Sequence, residues 1–315
     1  MKVLVTGASG FVGSGLCAHL VAKGYTVRGA VRSKPGKPLP GVECRSVSDM
    51  GADTNWSGAL ADNNAVVHCA ARVHVMNEAS GDPLAAFREV NVKGAACLAE
   101  QAADSGVKRF IYISSVKVNG ESTSEYPFKA DDLPVPEDPY SISKWEAEQA
   151  LLKIAKKTEL EVVIIRPPLV YGPGVRANFL RLMQGIRSGV PLPLGAIENL
   201  RSMVALDNLV DLIEACLNHP AAINQTFLVS DGEDISIKAL LQRTGVALGR
   251  PARLIPVPVS LLWVMARLIG KSDFAQRLCG SLQVDISKTL DRLSWSPPVS
   301  VDEALHKTTK YFLSN

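Results

Sequence analysis

Short apolar runs recur along the first half of the chain, spaced so that a helix fits between neighbours. They predict strands at Val3–Val5, Thr26–Val31, Ala65–His68, Phe110–Ile113 and Val162–Arg166, with helices over 84–105 and 141–157. Alternating β and α elements at this spacing imply an α/β fold with a parallel, doubly wound sheet, whose ligands bind beyond the carboxyl ends of the strands. After Tyr171 the rhythm breaks, with prolines and glycines at 172–174, 189, 191, 193 and 195. Residues 1–172 are therefore read as one domain and 173–315 as a smaller part that covers a substrate. A second apolar stretch, Leu254 to Ile269, contains Pro256, Pro258 and Arg267. It is too short and broken to span a bilayer, and a core helix or dimer face is expected there rather than a membrane-surface helix.

The first strand runs directly into glycines at 7, 10 and 13, then into the helical period Leu16, Leu20, Val21. A strand, a tight glycine turn and a helix N-terminus form a cradle for a pyrophosphate, to which backbone N–H groups and the helix dipole are both directed. Gly7 would permit the turn, Gly10 the close approach of a phosphate, and Gly13 close helix–strand packing. Residues 1–172 thus read as a dinucleotide-binding, Rossmann-type domain. Further along, Tyr140 and Lys144 stand one helical turn apart in Asp138-Pro139-Tyr140-Ser141-Ile142-Ser143-Lys144. That spacing brings an ammonium near a phenol, and a cation nearby lowers a phenol from its ordinary pKa of ~10 toward useful acid–base chemistry.

Composition narrows the classes. The chain has 315 residues, 47% apolar and 21% charged, with a net charge of +3. No basic run interleaved with aromatics suggests a nucleic-acid partner. The six cysteines (17, 44, 69, 97, 216 and 279) lack metal-ligand spacing and are expected as reduced, mostly buried thiols of a cytoplasmic protein, with no metal. Glycines interrupt the N-terminal apolar run too soon for a signal peptide.

The ordered motifs resemble the extended short-chain dehydrogenase/reductase family along essentially the whole chain. They are Thr6-Gly7-Ala8-Ser9-Gly10-Phe11-Val12-Gly13, Val67-His68-Cys69-Ala70-Ala71, Asn91-Val92-Lys93-Gly94, Tyr112-Ile113-Ser114-Ser115, the Tyr140/Lys144 pair, Arg166-Pro167-Pro168-Leu169-Val170-Tyr171-Gly172-Pro173-Gly174, and Leu293-Ser294-Trp295-Ser296-Pro297. The resemblance implies Tyr140 as general acid/base, Lys144 holding the nicotinamide ribose, and Ser115 hydrogen-bonding the reacting oxygen, with Ser114 beside it on the substrate side. It implies cofactor contacts from Gly7, Ser9, Gly10, Phe11, Val12, Gly13, Ala70 and Ala71, from Asp49 and Met50 near the adenine, and from Asn91. On the substrate side it implies Asn178 and Arg201 at a nucleotide diphosphate, with Arg277 the nearest counterpart of a second phosphate arginine. It also implies a homodimer through the helices following Asn91 and Tyr140, and a later segment that partly returns to the first domain.

Two departures from the family pattern steer the reaction. NAD-specific members place an acid at the tip of the second strand, whereas this strand ends Val31-Arg32-Ser33-Lys34. Arg32, helped by Ser33 and Lys34, suits a 2′-phosphate, so NADP(H) is favoured over NAD(H). Nucleotide-sugar dehydratases carry an Asp-Glu pair after the catalytic hydroxyl, but here Val116-Lys117 follow Ser115, which removes the proton carriers for elimination. The expectation is hydride transfer at C4 of a nucleotide sugar, UDP- before dTDP-, of the kind used in O-antigen synthesis. The main reading is a 4-keto-sugar reductase, the alternative a 4-epimerase, and a further alternative a dihydroflavonol- or steroid-type carbonyl reductase. An intact Tyr/Lys pair argues against a non-catalytic dinucleotide sensor.

Overall fold

The computed structural model describes residues 1–32, 39–73, 82–268, 270 and 272–315. Ser33 and Lys34, expected to assist Arg32, and Ile269 lie outside the described residues. The strands are β1 (Lys2–Thr6), β2 (Thr26–Val31), β3 (Val42–Ser46), β4 (Ala65–His68), β5 (Arg109–Ile113), β6 (Glu161–Arg166), β7 (Leu169–Tyr171), β8 (Arg201–Ala205), β9 (Thr226–Leu228) and β10 (Asp234–Ile235). Seven of them form one sheet in the order β3-β2-β1-β4-β5-β6-β9, and every neighbouring pair is parallel. The fold is the doubly wound α/β type, and its strand order reverses between β1 and β4, where such sheets open a crevice for ligand.

Burial on both faces explains why these strands read as unbroken apolar runs. In β1, Val3 and Val5 pack on one face with Leu16, Leu20, Ile111 and Ile213, while Leu4 packs on the other with Val66, Leu98, Phe110 and Ile164. The chain beyond residue 172 contributes to both parts of the molecule. Its helix Leu206–Asn218 lays Leu209, Leu212 and Ile213 on the large sheet, and β9 pairs with β6 in the register Ile164↔Thr226. A smaller sheet, β10-β8-β7, surrounds a separate core that includes Tyr171, Phe179, Met183, Met203, Leu240 and Leu305.

Three local features differ from the expectations. The span 84–105 is not one helix but Pro83–Phe87, a π-helical turn Arg88–Lys93, and Gly94–Asp104. A π turn admits an extra residue and redirects side chains, and here it carries the buried Asn91. The helix expected over 141–157 spans Pro139–Ala155, because Asp138 caps it: its carboxylate accepts the Ser141 N–H at 2.7 Å, its own N–H donates to Ser141 Oγ at 3.0 Å, and Pro139 occupies the first turn. The segment Leu254 to Ile269 contains the helix Val259–Leu268, which is not a core helix, since Leu261, Val264, Met265 and Leu268 are exposed. All six cysteines are free; Cys17 and Cys216 are buried, but Cys44 is exposed on β3, the edge strand of the sheet, which pairs with β2 alone.

Candidate active site

The glycine turn closes on itself at the β1 carboxyl end. Gly7 has φ +65°, and a Cβ there would lie 2.9 Å from the Ala70 backbone nitrogen. A Cβ on Gly13 would lie 2.1 Å from the Gly7 carbonyl oxygen, so Gly13 is required by the turn it packs against as much as by the helix–strand approach. Gly10 is the N-cap of the helix Phe11–Ala22 and offers no side-chain cap, which leaves the first N–H groups directed at the crevice. Phe11 and Val12 open that helix, partly exposed, and Ser9 is exposed on the turn before it. Ala70 N–H donates to Thr6 Oγ1 at 3.2 Å, fixing the loop after β4 beside the glycines. This cradle, held open by the lack of side chains, fits a dinucleotide pyrophosphate.

Around it the other expected cofactor residues take different places. Arg32 stands at the β2 tip with its side chain 79% exposed and pairs loosely with Asp49 at 3.7 Å. Met50 packs on the core beside Gly94. Asn91 is 2% exposed and fully engaged: its Oδ1 accepts the Arg72 N–H at 2.8 Å, and its Nδ2 donates to the Arg72 carbonyl at 3.1 Å and to Ser143 Oγ at 3.0 Å. Instead of presenting a free amide, Asn91 ties the loop bearing Ala70 and Ala71 to the helix bearing Tyr140.

Tyr140 is partly exposed in the first turn of its helix, with Phe87 edge-on at 6.1 Å between ring centres. Burial, reinforced by Asp138, pushes its phenol up to about 12. This is the opposite of the lowering expected from Lys144. Lys144 does not offset that burial: it is 1% exposed, donates to the Ile113 carbonyl at 2.6 Å and sits 3.9 Å above the Tyr112 ring. Burial, opposed by Glu148 and Cys69, brings its ammonium down to about 7. Its positive charge is thus weakened and directed at the end of β5. Beneath it His68, bonded to Thr6 Oγ1 at 2.7 Å and stacked on Tyr112, is pushed down to about 3 by burial and by Lys144. It is a neutral structural histidine.

The Lys144 shift has a measurable sign. Between about 7 and the ordinary 10.5, the unfolded chain holds a proton that the folded chain has released. The penalty for burying Lys144 is complete below 7 and fades as pH rises toward 10.5. Lys144→Met should therefore gain stability relative to the wild type most at about pH 6 and least at about pH 9 in denaturant titrations. An equal difference at the two pH values would contradict the assignment.

The serines divide their roles. Ser115 is partly exposed at the β5 end and its Oγ accepts only the Lys117 N–H, at 3.3 Å. Ser114, expected on the substrate side, is 4% exposed and donates to Glu148 instead, because its side chain alternates to the other face of the chain. Glu148 is paired with Arg166 through Nη2–Oε2 at 2.6 Å and Nε–Oε1 at 3.0 Å, and Arg166 Nη1 donates to Asn119 at 3.1 Å. This buried network supports the serine floor. Its signal in the sequence is a third position on one stripe, since Glu148 follows Lys144 by four as Lys144 follows Tyr140. Lys117, where dehydratases carry an acid, binds Glu121 and Asp138 at 2.6 Å each, which joins it to the cap of the Tyr140 helix.

Of the expected diphosphate residues, Asn178 is exposed in the first turn of the helix Ala177–Ser188. Arg201 donates through Nη1 to the main-chain carbonyls of Arg277 and Gly280, both at 2.9 Å, and no carboxylate among the described residues pairs with it. Arg277 contributes that carbonyl while its own side chain is exposed. Away from the crevice, His19, Asp211 and Glu214 bring ligand atoms within 4.8 Å of one another; His19 bonds Glu214, and Asp211 accepts from Trp295 Nε1 at 2.7 Å.

Comparison with known proteins agrees with this geometry. The model of the NAD dependent epimerase/dehydratase family matches residues 3–230. A UDP-glucose 4-epimerase of Vibrio cholerae is 49% identical over 99% of this chain and 95% of its own. An N-acetyl-α-D-glucosaminyl-diphospho-ditrans,octacis-undecaprenol 4-epimerase of Escherichia coli O157:H7 is 27% identical over 98% of this chain and 95% of its own. Among solved structures, the UDP-glucuronic acid 4-epimerase of Bacillus cereus in complex with NAD is 25% identical and superposes with a TM-score of 0.79, over 99% of this chain and 96% of that one. With a glycine cradle at the sheet's switch point and a Tyr/Lys pair at the β5 end, the chain belongs to the NAD dependent epimerase/dehydratase family, an extended short-chain dehydrogenase/reductase.

Proposed function

We propose that this protein is a nucleotide-sugar 4-epimerase acting on a UDP-hexose or UDP-N-acetylhexosamine. The observation that carries the reading is Lys144, one helical turn from Tyr140, donating to the Ile113 carbonyl at the β5 end two residues before Ser115, with the glycine cradle at the end of β1. The Vibrio cholerae relative, a UDP-glucose 4-epimerase, supports it over a reductase. When bound, the nicotinamide dinucleotide supplies a hydride acceptor and donor. With its phenol ionised, Tyr140 takes the proton from the sugar 4-hydroxyl and later returns it, while Ser115 donates a hydrogen bond to that oxygen. Arg201, its Nη1 braced by two main-chain carbonyls, and the exposed Asn178 hold the diphosphate. The protein works as a homodimer.

A second reading, a 4-keto-sugar reductase using NADPH, rests on the β2 tip, where Arg32 stands and no acid does. One experiment separates the two. On denaturation, an epimerase purified without added cofactor should release about one NAD(H) per chain, and before denaturation it should equilibrate UDP-glucose or UDP-N-acetylglucosamine with the C4 epimer. A cofactor-poor protein that oxidises NADPH only with a UDP-4-keto sugar would establish the second reading. In that case Arg32→Asp should reduce the preference for NADPH over NADH by about tenfold or more. An unchanged preference would remove Arg32 from the cofactor site.

A further inference from the structure

The helix Val259–Leu268 is apolar on two opposite faces. Val259 and Leu262 pack inward on the smaller core, with Ala266 buried beside them. Leu261, Val264, Met265 and Leu268 repeat at i, i+3, i+4 and i+7 and point outward, 50%, 55%, 55% and 81% exposed. Trp263 is 37% exposed but stands about 100° round the helix from Val264, nearer the inward face, and Ile255 is 48% exposed in the preceding loop. Scattered exposed leucines are ordinary, but four large apolar side chains at helical spacing form a face that needs a cover.

Charge identifies the cover. Arg253, before the helix, and Arg267, in its last turn, are exposed to solvent, and among the described side chains no carboxylate pairs with either. Between Asp234 and Asp273 the sequence contains no acidic residue, although the whole chain is nearly balanced at +3. A two-fold contact with a second copy would bring these arginines together without a counter-charge. An anionic lipid surface supplies that counter-charge and an apolar phase for the stripe, and exposed arginines beside an apolar face suit the headgroup level. No helix among the described residues is long and apolar enough to cross a membrane, so this helix would lie in the interface plane.

We propose that the outward face of Val259–Leu268 docks this protein on an anionic bilayer. The docking face is joined to the candidate site through the next helix, Ser272–Cys279: the carbonyls of Arg277 in its last turn and of Gly280 just beyond it receive the Arg201 guanidinium. Docking therefore holds the Arg201 end of the crevice near the headgroups. The inference stands whichever C4 reaction the site performs.

The test uses the full-length protein with vesicles of equal parts phosphatidylcholine and phosphatidylglycerol, and with phosphatidylcholine alone. The wild type should co-sediment with the mixed vesicles. Val264→Glu/Leu268→Glu should lower the partition coefficient by about tenfold or more, with thermal midpoint and turnover of soluble substrate unchanged. Arg253→Glu/Arg267→Glu should abolish the preference for mixed over neutral vesicles. Absence of vesicle binding, equal binding by the first variant, or equal preference by the second would overturn the proposal. So would a lipid-free oligomer that Val264→Glu/Leu268→Glu dissociates, since that result assigns the stripe to a second copy.

Discussion

Tyr140→Phe should retain the fold and the bound dinucleotide but lose turnover by about 10²–10⁴-fold, the usual contribution of a positioned acid/base. The substitution removes one oxygen and leaves the ring edge-on to Phe87. Cofactor content after denaturation, thermal midpoint and initial rate read these effects separately. Full turnover with phenylalanine at 140 would refute Tyr140 as the proton carrier. Loss of cofactor together with turnover would instead make it a structural residue. The same variant serves both C4 readings, because an epimerase and a reductase each need the phenol as donor, and only the epimerase also needs it as acceptor.

Arg166→Met should destabilise the protein by about 3–5 kcal/mol, the scale for removing one partner of a buried ion pair. Both side chains are almost completely enclosed, at 4% and 1% exposure, so Glu148 would be left ionised without its counter-charge or forced to take up a proton. Adding Glu148→Gln to Arg166→Met should restore part of the loss, since no unpaired carboxylate then remains at 148. Denaturant titration of the two single variants and the double variant gives the coupling directly. A loss below about 1 kcal/mol for Arg166→Met would mean that the pair is not a structural support for the serine floor.

The readability of the chain follows the range of each interaction. The large sheet was legible because its strands are buried on both faces and need continuous apolar runs, as in Val3-Leu4-Val5 and Val162-Val163-Ile164-Ile165. The glycine cradle was legible because only glycine satisfies the contacts at 7 and 13. The π turn was hidden, since Asn91 bonds to Arg72 and Ser143, 19 and 52 residues away, and local periodicity carries no record of either. The orientation of Ser114 was hidden for the same reason, as its partner Glu148 is 34 residues away. Lys144 was correctly placed on the Tyr140 face, but its effect was misjudged because spacing gives proximity and not desolvation. Arg201 resembles any exposed arginine in sequence; its bracing comes from carbonyls 76 and 79 residues downstream.

The seventh strand has a consequence for synthesis. β9 meets the outer edge of β6 in the register Ile164↔Thr226, across a long intervening segment that builds much of the other core. As the chain emerges from the ribosome, β1 to β6 can pair in order while the β6 edge waits with its backbone groups unsatisfied. That margin, Val162 to Ile165 with every side chain buried in the finished fold, is the most adhesive surface of the nascent protein. Its protection depends on the timely arrival of three residues, Thr226–Leu228, so the interval between making β6 and making β9 is when the chain is most exposed to mispairing.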